Sequence, residues 1–344
     1  MKRAPILGGA FGLETPVSPS PPPFSAAHAQ YFLNVRCALL ALAQALRPRS
    51  AWLPSCLCPA LLEPFQSSGV EARFYGVDEH LRVSGCGWLN DVRPGDFVIV
   101  IHYFGVPHSS FPAGAAKRSG AYIIEDSSQA LFLPQQFEES LCVLYSPRKF
   151  LGVPDGGAMA SKGETGTESL ALEPPPAGWW NSALAMMLQR RDFDLSARPS
   201  EWYSLFQHVE SNFPLGLYRS SDLSRSLLTC GVDYAAIRTR RRANYQALLD
   251  MLGEHAFFPE MPEQVVPLGF PVRIEAAVRD RVLRRLYARR VYAPVHWKID
   301  GVAPSLSSLT LVCDQRYSPD DMTLQAREFK KALNAAQFLT GTAT

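Results

Sequence analysis

The feature that most limits the fold is a series of short apolar runs at residues 51–54, 71–75, 96–101, 121–124 and 141–145, each closing on polar or small residues. Runs of this length and β-branched content suit strands buried on both faces. Helical or irregular segments between them supply the crossovers that a parallel sheet requires. The expectation is an α/β fold with a mainly parallel sheet. At 344 residues the chain exceeds one ordinary domain, which favours a large unit with an appended lobe.

The flanking sequence divides the chain further. Residues 1–26 form an arm with a Pro/Ser stretch at 16–23. Residues 27–46 carry helix-type spacing through Phe32, Cys37, Leu40 and Ala41, ended by Arg47-Pro48-Arg49-Ser50. From 168 to 212 the pattern weakens around Pro174-Pro175-Pro176, Trp179-Trp180 and Trp202-Tyr203, as in an insertion facing substrate or another subunit. A helix is expected over 232–252, then strand 265–274, helix 275–290 and strands 291–296 and 309–313. The last helix opens on Ser318-Pro319-Asp320-Asp321, with an N-cap serine, proline at the first helical position and an acid at the capping-box position. The expected units are an arm (1–26), a large cofactor-binding domain (27–244) and a small C-terminal α+β lobe (245–344).

Composition narrows the function classes. The chain is 47% hydrophobic and 19% charged with net charge +2, which gives no global attraction to nucleic acid. The Arg-rich stretches at 238–242 and 279–290 read as solvated helix faces, with a diphosphate contact as the functional alternative. Seven cysteines, odd in number and set mostly in apolar runs, indicate reduced thiols and a cytoplasmic protein. Cys56-x-Cys58 has no second Cys/His pair at suitable spacing, so no metal is expected. Neither a signal peptide nor a membrane-spanning helix fits the N-terminus, and no membrane partner is expected.

Two runs carry candidate chemistry. In Tyr145-Ser146-Pro147-Arg148-Lys149-Phe150-Leu151-Gly152, a lysine stands between an apolar strand and a Gly/Pro loop. Desolvation there would free its amine to attack a carbonyl; an ordinary loop lysine fits the run equally well. Ser146 and Lys149 also spell the Ser-x-x-Lys of acyl-transfer enzymes, but the Lys-Thr-Gly and Ser-Asp-Asn partners are missing. In Ile123-Ile124-Glu125-Asp126-Ser127-Ser128-Gln129, a strand ends in two carboxylates, where α/β sheets place ligands. Asp126 suits either a pyridinium partner or a helix N-cap.

The ordered combination says more. His102-Tyr103-Phe104-Gly105, then Glu125-Asp126-x-x-Gln129, then Pro147-x-Lys149-x-Leu151-Gly152 with Gly156-Gly157 resembles the DegT/DnrJ/EryC1/StrS family of sugar aminotransferases dependent on pyridoxal 5'-phosphate (PLP). Weaker matches run from Gly8-Gly9 through Arg36-Cys37-Ala38, Leu53-Pro54-Ser55 and Tyr218-Arg219-Ser220 to Val295-His296 and Asp314-Gln315-Arg316-Tyr317, over most of the chain. The resemblance implies a fold-type I aminotransferase acting as a homodimer, with glutamate as amino donor and a nucleotide-linked keto-sugar as acceptor. It implies Lys149 as the lysine bonded to PLP, Asp126 on the pyridine nitrogen, Gln129 near the ring hydroxyl or phosphate, and the backbone of Arg36 and Cys37 on the phosphate. His102 would line the cofactor pocket or be a satisfied core histidine, and His296 and Arg219 would reach toward substrate.

Four positions depart from the family pattern. Cys58 stands where relatives have an aromatic that stacks on the ring, Leu144 where they have a phosphate-binding serine, Val35 replaces a glycine, and Leu217 an asparagine. These motivate a rival reading, a catalytically degenerate PLP-binding or cofactor-free regulatory or scaffold protein. A PLP-dependent sugar dehydratase is a further alternative, against which the retained Lys149 argues.

Overall fold

The computed structural model describes residues 6–26, 28–108, 110–197, 200–297 and 308–341. Its strands are β1 (His28–Phe32), β2 (Ser50–Pro54), β3 (Glu71–Tyr75), β4 (Phe97–Ile101), β5 (Tyr122–Ser127), β6 (Ser140–Tyr145), β7 (Gly157–Ser161), β8 (Phe270–Arg273) and β9 (Ser308–Leu311). Its helices are α1 (Val35–Leu46), α2 (Glu63–Ser68), α3 (Ala113–Arg118), α4 (Ala177–Ser196), α5 (Trp202–Ser211), α6 (Asp222–Cys230), α7 (Tyr234–Leu252), α8 (Ala276–Ala288) and α9 (Pro319–Gly341).

The apolar runs read from sequence become β2 to β6. These five lie parallel in the order β6-β5-β4-β2-β3, and β7 then β1 extend the sheet antiparallel beyond β6. Every residue of β4, Phe-Val-Ile-Val-Ile, is buried, as expected of a central parallel strand covered on both faces. The fold is α/β with a mainly parallel sheet.

The helix expected over 27–46 is corrected at its start. Residues 28–32 pair with β7 as β1, and the helix begins only at Val35, where Asn34 caps it by accepting the Cys37 N–H at 2.9 Å. β7 reads Gly-Ala-Met-Ala-Ser, with no β-branched residue to announce it. Its first residue must be glycine: a Cβ on Gly157 would lie 2.4 Å from the Asn34 carbonyl carbon. That close approach sets the N-terminus of α1 on the end of the sheet where the parallel strands finish.

In the C-terminal part, β8 and β9 pair antiparallel and pack with α7, α8 and α9 around Leu248, Phe270, Leu286 and Phe329. The strand expected over 265–274 is only β8, and of 291–296 only Val291 bridges, to Leu7. The Ser318 capping box forms: the Ser318 N–H donates to Asp321 at 2.9 Å, and the Asp321 N–H to the Ser318 hydroxyl at 3.4 Å. Helix α7 runs through residue 245. Tyr234 and Ile237 pack with Tyr145 and Phe150, while Tyr245, Leu248 and Leu252 pack in the C-terminal cluster. The 168–212 stretch folds largely as α4 and α5, tied by the Trp179 indole donating to the Val209 carbonyl at 3.1 Å.

The arm is a strap across both parts. Gly8 N–H donates to the Tyr317 hydroxyl at 2.9 Å, Arg316 to the Ala10 carbonyl at 2.8 Å, and Glu14 N–H to the Gly152 carbonyl at 2.8 Å. Among the described residues no helix is long and apolar enough to cross a membrane.

Candidate active site

Parallel strands deliver Cys58, Ile101, Asp126 and Lys149 to one end of the sheet, because β2, β4, β5 and β6 all finish there. With the start of α1 they line a cavity of about 280 Å³. Side chains alternate across a strand, so adjacent Glu125 and Asp126 of β5 face opposite sides of the sheet.

Asp126 faces the cavity and is buried. Its Oδ1 accepts the Ser128 N–H at 2.8 Å, and its Oδ2 has no donor among the described residues. Glu125 points the other way and accepts from the Gln136 and Phe137 N–H groups at 2.9 and 3.1 Å. It also lies 2.8 Å from His102 Nε2, while His102 Nδ1 accepts the His108 N–H at 3.0 Å. A backbone N–H can only donate, so Nδ1 is bare and Nε2 carries the proton that bridges to Glu125. His102 is therefore a satisfied core histidine, absent from the cavity wall.

Gln129 lines the cavity with its orientation fixed by the same logic. Its Oε1 accepts the Phe104 N–H at 2.9 Å, leaving Nε2 to donate elsewhere. Phe104 has φ of 55°, a left-handed conformation unusual for a bulky side chain. Gln129 holds that turn in place.

Lys149 ends a 3₁₀ turn, Pro147–Lys149, after β6. Its Nζ has no hydrogen-bond acceptor or ion partner among the described residues. The turn is held from behind: the Phe150 carbonyl accepts from Gln315 Nε2 at 2.6 Å and from Arg241 at 3.3 Å. Lys149, Arg148 and Glu210 line both this cavity and a neighbouring one of about 510 Å³. The larger cavity has an aromatic wall including Trp202, Tyr203, Tyr287 and Tyr292, with His296 on its lining. His296 Nδ1 lies 3.0 Å from the Thr310 hydroxyl. Burial, and then the Lys149 charge, push its pKa down to about 4, so the ring is neutral near pH 7.

Two expectations are corrected. The Cys37 N–H is taken by the Asn34 cap and its side chain is fully buried, so Val35 and Arg36 supply the free N–H groups at the helix start. Arg219 reaches neither cavity of its own chain: its guanidinium pairs with Asp222 of α6 at 3.1 Å. Leu144 is buried in the core, while Cys58 lines the cavity and presents no ring. Sequence reading passed over Arg148, Glu63, Glu210 and Phe213, all on the small cavity. Only Arg148, adjacent to Lys149, carried any sequence signal.

No protein-family model and no curated protein matches the chain. Solved structures do. The fold is that of PLP-dependent aminotransferases. The aminotransferase TlmJ from Streptoalloteichus hindustanus is 18% identical, with 90% of this chain covering 86% of that one at a TM-score of 0.62. DesI, solved in the presence of its TDP-sugar product, is 16% identical over 93% of this chain and 84% of its own, at 0.64. NtdA from Bacillus subtilis, solved with bound cofactor PMP, is 13% identical over 90% and 74%, at 0.61.

Proposed function

We propose that the chain is a PLP-dependent aminotransferase that moves an amino group from glutamate to a nucleotide-linked keto-sugar. The observation that carries this reading is the pairing, in one cavity, of the unpartnered amine of Lys149 with the half-satisfied carboxylate of Asp126. The donor set fits PLP: a nucleophilic amine, a carboxylate for the ring nitrogen, the Gln129 Nε2 donor, and free N–H groups at the start of α1 for the phosphate. Resemblance to the sugar aminotransferase family and the likeness to TlmJ, DesI and NtdA support the same assignment.

When bound, PLP supplies a protonated ring that withdraws electrons from the carbon that loses its proton. Asp126, with Oδ2 left free, would hold the proton on the ring nitrogen. Lys149 Nζ would hold the cofactor covalently and, once free, would serve as the base and acid that moves a proton between the two carbons that exchange the amino group. Its position between the two cavities lets one amine serve both cofactor and substrate. His296, neutral beside it, adds no competing positive charge. The larger cavity, walled by Trp202, Tyr203 and Tyr287, offers rings for stacking a sugar or base. The resemblance also implies a cytoplasmic homodimer as the working unit.

The test is spectroscopic. Purified protein with PLP should develop visible absorbance, and borohydride should then fix the cofactor on the peptide containing Lys149. Glutamate should bleach the absorbance, and Lys149→Ala should abolish attachment. Failure of saturating PLP to attach to Lys149 would sink the catalytic reading in favour of the degenerate one that Cys58 and Leu144 motivate.

A further inference from the structure

The phosphate end of the small cavity is built from unusual groups. Where the family resemblance places a hydroxyl, Leu144 is fully buried in the core. In its stead Arg36, the second residue of α1, and Arg148, beside Lys149, line the cavity. Their guanidinium carbons lie 5.2 and 4.3 Å from the centroid of the same ring, Phe213. Two like charges gathered on one ring repel unless counter-charged. Each is: Arg36 pairs with Glu63 of α2, and Arg148 with Glu210 of α5 at 2.5 Å. The arginine side chains are 17% and 20% exposed, the glutamates 44% and 43%.

That asymmetry separates fixed groups from movable ones. The guanidinium groups are anchored against the Phe213 ring, and Arg36 also donates to the Phe213 carbonyl at 3.3 Å. The carboxylates stand half in solvent, able to rotate away at little cost. A phosphate dianion at the start of α1 would meet both guanidinium groups and the Val35 and Arg36 N–H groups, while repelling both carboxylates.

We propose that Arg36 and Arg148 form a two-arginine phosphate clamp, and that binding proceeds by ion-pair exchange, phosphate displacing Glu63 and Glu210. This rests on the PLP reading above. The arginines then set the preference for phosphorylated over unphosphorylated pyridoxal, and the glutamates hold the clamp together when it is empty while weakening phosphate binding.

The experiment titrates the full-length protein and its variants with PLP, pyridoxal and inorganic phosphate, reading absorbance for the first two and calorimetry for the third. Arg36→Gln and Arg148→Gln should each weaken PLP at least tenfold and leave pyridoxal within twofold. Glu63→Gln and Glu210→Gln should tighten PLP several-fold without changing pyridoxal, a gain that misfolding cannot mimic. Inorganic phosphate should bind the wild type and compete with PLP but not with pyridoxal. An unchanged PLP-to-pyridoxal ratio in the arginine variants, or weaker PLP binding in the Glu63→Gln and Glu210→Gln variants, would overturn the clamp. If neither pyridoxal compound binds, the cofactor reading fails separately. Inorganic phosphate then decides the clamp: binding lost in the arginine variants upholds it, and no binding to the wild type overturns it.

Discussion

Replacing Arg241 with methionine should be among the most destabilising single changes in the molecule. Arg241 is fully buried on α7. Its Nε donates to Gln315 at 2.8 Å, one terminal nitrogen to the Pro267 and Leu268 carbonyls at 3.1 Å each, and the other to Phe150 at 3.3 Å; the plane lies over the Phe150 ring at 4.6 Å. Hydrogen bonds from a charged group contribute about 1.5–3 kcal/mol each, so four sum to roughly 6–12 kcal/mol gross. Burying a guanidinium costs several kcal/mol in return, and methionine keeps most of the apolar stem. The expected net loss is about 3–5 kcal/mol, most of it from the neutral acceptors on Gln315, Pro267 and Leu268 left without a donor at about 1–3 kcal/mol each. With an m-value of roughly 3–4 kcal/mol per molar urea for a chain this long, the unfolding midpoint should fall by about 1 M. Arg241→Lys retains the charge but at most three donors without the planar fork, and should recover less than half. Urea unfolding followed by circular dichroism measures both. A midpoint shift below about 0.3 M for Arg241→Met would refute the claim that this network ties the Lys149 turn to the C-terminal part.

Two further outcomes follow from the site. The His296 ring resonances, followed by NMR, should titrate near pH 4, because burial and then the Lys149 charge depress the pKa. A folded pKa below the unfolded one means stability present above about pH 6.5 that is lost as pH falls toward 4. Lys149→Met should raise the value only part-way, since burial is the larger cause, and no change on that substitution would show that the two groups do not interact. Gly157→Ala places a methyl 2.4 Å from the Asn34 carbonyl carbon and must push α1 off its seat. Overpacking of this kind costs about 1–3 kcal/mol, and PLP affinity should fall about tenfold; unchanged affinity by absorbance titration would detach the helix start from phosphate binding.

The sequence discloses what is local and misses what is assembled at a distance. β2 to β6 are legible because strands buried on both faces must be continuous apolar runs. Lys149 and Asp126 stand out as candidates because each follows such a run at the end where ligands gather, and Gln129 stands out only through the family resemblance. β1 is lost inside a helix-like pattern that Asn34 interrupts with a cap, and β7 is lost because glycine and alanine signal nothing until they are seen against α1. His102 is drawn from the site to the core by Glu125, its neighbour on the next strand. Arg36 and Glu63 stand 27 residues apart, and Arg148 and Glu210 stand 62 apart. No spacing rule links them, and only the fold brings both pairs to Phe213.

The strap at the N-terminus bears on the order in which the protein can be finished. Gly8 and Gly9 line the aromatic cavity; Arg190 of α4 donates to the Gly8 carbonyl at 3.4 Å, while the other groups that hold them, Tyr317 on the Gly8 N–H and Arg316 on the Gly9 carbonyl, stand 309 and 307 residues further along the chain. On a ribosome adding ~5–20 residues per second, roughly 15–60 s separate the emergence of Gly8 from that of Tyr317. During that interval the sheet can assemble around β4 and β5, but the Gly8-Gly9 wall of the larger cavity has only its α4 contacts, through Arg190, and not the Arg316 and Tyr317 ones. Growing chains would therefore carry Lys149 in an unfinished site, and the site becomes complete only once Arg316 and Tyr317 have emerged.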